Sequence, residues 1–224
     1  MQKHLEREMI TLKQNILRLS TMVEETVTAA TKGFQEMDGV GAEHVIEQDV
    51  DIDQMEIKIE EDCLKMLALY QPVARDLRFI VTVLKINNDL ERIGDLAVNI
   101  AKCARYLAKK PKLDTGFHFS TIIQKTKDML KKSIDAFVNM DTQLAYEVCA
   151  LDAEIDNLKN QQEQAITERI KSTPSDTDSL IRFLSISRHL ERIADHTTNI
   201  AEDVIYSVDG DIIRHHNVPT PVAK

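Results

Sequence analysis

Along most of the chain, apolar residues recur at i, i+3, i+4 and i+7. That spacing gathers them on one face of an α-helix. Leu90, Ile93, Ala97, Ile100 and Ala104 are the clearest such stripe. Breakers interrupt the pattern at regular places: Gly39 with Gly41, Pro72, the stretch from Pro111 to Gly116, Pro174 and Gly210. The pattern predicts six helices, at 4–37, 41–69, 73–109, 116–139, 141–171 and 175–207. At 1.5 Å per residue, the longer ones span roughly 45 Å. Thr173-Pro174-Ser175-Asp176 reads as a helix start: Thr can cap, Pro suits the first turn, and Asp suits the positive N-terminal end. Asp141 is expected to cap the fifth helix. Pro219 and Pro221 mark residues 210–224 as a loose C-terminal tail.

The pattern is written twice. Residues 90–101 read LERIGDLAVNIA and residues 190–201 read LERIADHTTNIA, with eight of twelve positions identical. Phe34, Met37 and Asp38 recur 103 positions later as Phe137, Met140 and Asp141. Asp49, Ile52 and Asp53 recur at the same offset as Asp152, Ile155 and Asp156. The offset falls to 100 in the third helices, so the second half lacks three residues in the connection before its last helix. Three anchors in one order at consistent spacing predict an internal duplication. The expected fold is all-α: two tandem, similar three-helix bundles at 1–110 and 111–209, meeting near PKLDT at 111–115.

The duplication keeps polar residues as well as the core. Each half carries two acid pairs at i, i+4, a spacing that puts both carboxylates on one helix face. They are Asp49/Asp53 and Glu91/Asp95 in the first half, and Asp152/Asp156 and Glu191/Asp195 in the second. Asn99 and Asn199 extend the third-helix stripes. At 100° per residue these stripes lie nearly opposite the apolar side, which predicts an outward-facing patch. If the two helices of each half lie side by side, four carboxylates crowd together and something positive should sit among them. Three readings stand at this point. One is a metal ion held by oxygen ligands, which suit Mg, Mn, Ca or Fe, with Zn possible given histidine help. Another is arginine, from Arg92, Arg192, Arg75 or Arg78. The third is a solvated acidic face.

Composition narrows the function classes. Gly (6) and Pro (5) are sparse, aromatics make up 4%, and Trp is absent, which supports an all-helical chain. Acidic residues outnumber basic ones 37 to 28, a net charge of -9. This argues against a nucleic-acid backbone as partner and suits cation attraction. Cys63, Cys103 and Cys149 are widely spaced and form no CxxC pair, so they are expected to be reduced, buried hydrophobes. His189, His196, His44 and His215/His216 break the repeat and read as surface residues rather than ligands. No Glu has a His three residues later, and no HExxH, Walker A loop or GxSxG occurs. A metal-dependent enzyme or a metal-storage protein, built on the same carboxylates, remains the alternative to a non-catalytic role. No signal-peptide-like segment and no apolar run approaching 18 residues is present. The chain is expected to be cytoplasmic and to reach a membrane only through partners.

Gln71-Pro72-Val73-Ala74-Arg75-Asp76-Leu77-Arg78, followed by LERIGD at 90–95 and LERIAD at 190–195, resembles the PhoU family. Its members are regulatory accessory proteins of the bacterial phosphate-specific transport system. The resemblance runs from residue 1 to about 207. It implies two three-helix bundles and negative regulation of phosphate uptake and of the phosphate-starvation response. The implied partners are the ATPase subunit of the phosphate ABC transporter and the membrane sensor histidine kinase. Some members hold multinuclear iron or zinc clusters on E/D-x-x-x-D motifs. The implied ligands here are Asp49, Asp53, Glu91 and Asp95, and Asp152, Asp156, Glu191 and Asp195, with Asn99 and Asn199 as further candidates. Arg75 and Arg78 are candidate partner contacts, confined to the first half because the second has TPSDTDSL there. A homodimer is expected. With no phosphate-binding loop evident, phosphate status is expected to arrive through the transporter.

Overall fold

The computed structural model describes residues 2–113 and 116–210. The predicted tail lies, apart from Gly210, outside the described residues. Seven α-helices follow one another: α1 (Gln2–Glu36), α2 (Gly39–Glu47), α3 (Asp49–Tyr70), α4 (Ala74–Leu107), α5 (Ser120–Asn139), α6 (Thr142–Ser172) and α7 (Thr177–Asp209). The fold is all-α, with α1 to α4 forming one bundle and α5 to α7 a similar second one.

The repeat reaches the joints. α1 and α5 both end on a methionine in the left-handed region, Met37 (φ 54°) and Met140 (φ 51°). The next residue, Asp38 or Asp141, donates its N–H five residues back, to Gly33 O (2.8 Å) or Ala136 O (2.9 Å). Its carboxylate then caps the following helix. Asp38 accepts from the N–H groups of Val40 and Gly41, both at 3.0 Å, and Asp141 accepts from Leu144 N–H at 3.0 Å. One aspartate thus closes one helix and opens the next, satisfying amides that would otherwise be orphaned.

Two predicted boundaries are corrected. The expected helix 41–69 is broken at Gln48, whose ψ of −7° flattens the turn. The break makes Asp49 the first residue of α3, with Asp51 in the same turn, where the helix dipole favours carboxylates. α6, the duplicate, runs unbroken through the corresponding position, Leu151. Before α7, Pro174–Asp176 form a single 3-10 turn, and Thr173 makes no side-chain cap. The Thr177 hydroxyl instead donates to Pro174 O at 2.8 Å.

α4 and α7 run antiparallel through the middle, as shown by the pairing of Lys85 with Asp203 and of Asp89 with Asn199. Leu90, Ile93, Ala97, Ile100 and Ala104 are fully buried, as the pattern predicts. Burying one such isoleucine is worth about 1.5–3 kcal/mol. The core is continuous between the bundles: the Phe34 ring meets Phe119 at 5.1 Å and Phe183 at 5.8 Å. All three cysteines are free and buried, and burial pushes the thiols of Cys63 and Cys149 up to about 12.

Two histidines are not the surface residues expected. His196 is largely buried in the α4–α7 seam, its Nδ1 2.8 Å from Asp89 Oδ1. His189 is also partly buried, its Nδ1 without a hydrogen-bond partner among the described residues, and burial followed by the charge of Arg192 lowers its pKa. α7 is covered by α4 as well as by α5 and α6 of its own bundle, and the contact with Asp89 on α4 takes His196 out of solvent.

Candidate metal centres on two acidic patches

In the first bundle α3 supplies Asp49 and Asp53, and α4 supplies Glu91 and Asp95. Close approach of the two helices is set by Gly94, where a Cβ would lie 3.2 Å from Ile52 Cδ1. Partial burial raises the pKa of Asp49, and the charges of Asp53 and Asp95 raise it further, against Lys102. Burial also raises Glu91, helped by Asp95, Glu56 and Asp53 and opposed by Arg92. In the second bundle burial raises Asp152, helped by Asp156 and Glu191 and eased by the Thr198 hydroxyl, which donates to it at 3.4 Å. Asp195 is pushed up to about 6 by desolvation and then by Glu191, Asp152 and Asp156, with His196 opposing. The four acids of each half therefore feel one another's charge, as side-by-side helices require.

The patches flank the core more closely than a fully outward stripe would. Glu91 and Glu191 side chains are about one-fifth exposed, at 22% and 20%. The reason is that α4 carries buried residues on most of its circumference, including Gly94, Leu96, Val98 and Ala101.

Cations enter each patch differently. Arg92 lies 3.5 Å from Glu91 and 3.6 Å from Asp95. In the second patch Lys159 reaches Glu191 at 3.5 Å and Glu163 at 3.9 Å. Arg75 and Arg78 are at neither patch; they line a cavity with Lys13 and Met140. Asn199 turns towards α4, its amide donating to Asp89 Oδ1 at 3.3 Å.

Glu56 went unrecognised in the sequence. It stands beside Asp53 and Glu60, with its pKa raised by burial and then by both, and Asn87 donates to its carboxylate at 3.2 Å. The offset of 103 that aligns Asp53 with Asp156 also aligns Glu56 with Lys159. Carried one turn further along the helix, that alignment shows an acid in one copy and a base in the other.

The donor chemistry fits a hard or borderline cation: carboxylate oxygens whose mutual repulsion is only partly met by Arg92 or Lys159. Among the described residues, no three carboxylate, imidazole or thiol groups are already closed round a single ion position. Asp53, Asp156 and Asp195 are exposed, so closure depends on their rotation.

A PhoU domain model matches the chain twice, at residues 16–104 and 119–204. The chain is a member of the PhoU family. The phosphate-specific transport system accessory protein PhoU homolog of Aquifex aeolicus is 36% identical over 212 residues, covering 95% of this chain and 96% of that one. PhoU homolog 1 of Thermotoga maritima is 34% identical over 208 residues, covering 92% and 90%. Among solved structures, PhoU from Pseudomonas aeruginosa superposes with a TM-score of 0.90 at 33% identity, covering 92% of this chain and 99% of that one. The phosphate transport system regulatory protein PhoU from Streptococcus pneumoniae gives 0.81 at 29%, covering 93% and 98%. These match lengths make the PhoU resemblance a property of the whole described chain.

Proposed function

We propose that this PhoU protein is a non-catalytic, cytoplasmic negative regulator of phosphate uptake and of the phosphate-starvation response. It bridges the ATPase subunit of the phosphate ABC transporter and the sensor histidine kinase. Each repeat unit, 1–110 and 111–209, carries one cation-binding patch of four acids, with iron or zinc as the first candidates. The observation that carries the reading is the end-to-end match to proteins named as accessory to phosphate transport. No helix among the described residues is long and apolar enough to cross a membrane, which is consistent with reaching the membrane through partners.

The test is a pull-down from membranes of cells grown at high and at low phosphate, using the tagged full chain as bait. The transporter ATPase and the sensor kinase are expected in the eluate, in proportions that change with phosphate. Absence of both under both conditions defeats the bridging role.

A homodimer is supported by α3. Val50, Ile57 and Leu64 are more than half exposed, at 52%, 53% and 54%, and lie seven residues apart on one stripe. Their duplicates are Ala153, Asn160 and Thr167, so the fold does not demand apolar residues there. Antiparallel pairing of two α3 helices about Ile57 would set Val50 of one copy against Leu64 of the other and Ile57 against its own copy, the self-complementarity a two-fold contact needs. Ile57→Asp is expected to convert the dimer to monomer in light scattering. An unchanged mass overturns this assignment.

A further inference from the structure

A cavity of about 730 Å³ opens beside the start of α4, with no acid-patch residue among its described lining residues. Lys13 from α1 and Arg75 and Arg78 from α4 face it, with Asp76 the one acid among the described lining residues. Three cations less one carboxylate leave a charge of +2 in a protein whose total is -9. Among the described residues, neither arginine has an ion-pair partner, and Lys13 Nζ reaches only the Val138 carbonyl, at 3.4 Å. Arg78 Nε is buried with no hydrogen bond. Leaving such a donor unsatisfied is costly unless a ligand supplies the acceptor.

The duplicate copy shows that the fold does not require this charge. At the offset of 100, Arg75 corresponds to Ser175 and Arg78 to Asp178. Cations in the first turns of a helix oppose its dipole, whereas the acid of the second copy suits it. The local backbone is also particular to the first copy. Gln71 (φ 47°) and Ala74 (φ 48°) both take left-handed conformations just before the arginines, and no residue of the connection between α6 and α7 does so. Strain of this kind is kept where it places functional groups.

The rest of the wall is apolar. Met9, Met140 and Phe79 line it, and Phe79 is braced by stacking on Phe137 at 6.1 Å. The volume matches sites for small organic ligands and exceeds what a bare oxyanion needs. Two guanidinium groups one helical turn apart, with an ammonium group opposite, suit the several oxygens of a phosphate dianion.

We propose that this cavity binds a phosphorylated small molecule carrying an aromatic or apolar moiety, of the nucleotide class, with Arg75, Arg78 and Lys13 on the phosphate and Phe79 on the flat moiety. The assignment does not rest on the regulatory role above.

Calorimetry of the full chain tests it, in low-salt buffer without divalent metal so that the acidic patches cannot recruit a metal–nucleotide complex. ATP, AMP, orthophosphate and phosphatidylglycerol vesicles are the separate probes. ATP and AMP are expected to bind, and orthophosphate at least tenfold more weakly. Arg78→Ala and Lys13→Ala should each weaken AMP at least tenfold, while Lys58→Ala, on exposed α3 surface, should leave it unchanged. Arg75 is exposed, so Arg75→Ala gives the same reading if Arg78→Ala fails to fold. The proposal is overturned if neither nucleotide binds, if orthophosphate binds as tightly as AMP, if vesicles alone are captured, or if the cavity variants match Lys58→Ala.

Discussion

Glu56 and Lys159 hold the same place in the two copies, and their opposite charges make the acidic patches unequal. The first patch has a fifth carboxylate whose pKa is raised by burial and then by Glu60 and Asp53. The second has an ammonium 3.5 Å from Glu191, already filling part of the space a cation would take. Elemental analysis of protein purified without chelator is therefore expected to show a larger loss for Asp95→Asn than for Asp195→Asn. Lys159→Glu should raise the metal held by the second patch. If Asp95→Asn and Asp195→Asn both retain the wild-type metal, the ligand assignment fails. Asp195 also makes a pH prediction. Its pKa stands at about 6 in the fold, against an ordinary value of 3.8. The native state therefore holds a proton that the unfolded chain releases between these values, so metal-free protein gains stability as pH falls from 7 towards 4. Asp195 is exposed, so solvent screening limits the effect to about 0.5 kcal/mol. Asp195→Asn should raise the melting temperature of metal-free protein at pH 7.5 by about 1–2 °C, and the gain should vanish near pH 4. A lower melting temperature for the variant at pH 7.5 would contradict the repulsion.

At the scale of the helix, the sequence marks what is punctuated by residue type and misses what is decided by covering. Asp141 was legible as a cap, and its duplicate Asp38 performs the same task. Asp38→Ala and Asp141→Ala should each cost about 1 kcal/mol, or about 2–4 °C in melting temperature for a chain of this size. Gly41→Ala should act like Asp38→Ala, because its Cβ would lie 2.5 Å from Asp38 Oδ2. A cap variant that melts with wild type would show these hydrogen bonds to be idle. The core stripe of α4 and both acid pairs of each bundle could be read from spacing alone, since a helix fixes which residues share a face. The break at Gln48 could not, because no Gly or Pro sits there. Nor could the burial of His189 and His196, or the half-buried state of Glu91. Those depend on how α4 and α7 meet, and periodicity within one helix carries no information about its second neighbour. The cavity at Arg75 and Arg78 is legible only in part: the arginines stand out in the motif, but Lys13 lies some sixty residues earlier and joins them only in the fold.

Across the whole molecule, the seam between α4 and α7 joins the bundles, and it contains charge. Asp203 is buried at 1% exposure and accepts from Lys85 Nζ at 2.9 Å, while Tyr206 covers the same ammonium at 5.0 Å. Removing one partner of a buried ion pair costs about 3–5 kcal/mol; Lys85 is itself about one-third exposed, which places the expected loss for Lys85→Met at the lower end. Because the core is continuous through Phe34, Phe119 and Phe183, Lys85→Met should lower a single calorimetric transition rather than split off one bundle. Two separated transitions in the wild type would refute that coupling. The same continuity decides what metal removal does. The acids sit beside the core and contribute no apolar surface to it, so no part of the buried cluster depends on an ion for its packing. Chelation is expected to leave the helical circular dichroism signal intact and to shift melting only by the binding energy linked to folding. The sign of that shift is informative. Metal-loaded protein should melt higher than metal-free protein, and the difference should shrink in Asp95→Asn, where the ion is lost. Loss of most helical signal on chelation would mean that the ion, rather than the apolar face shared by α3 and α4, holds those helices together.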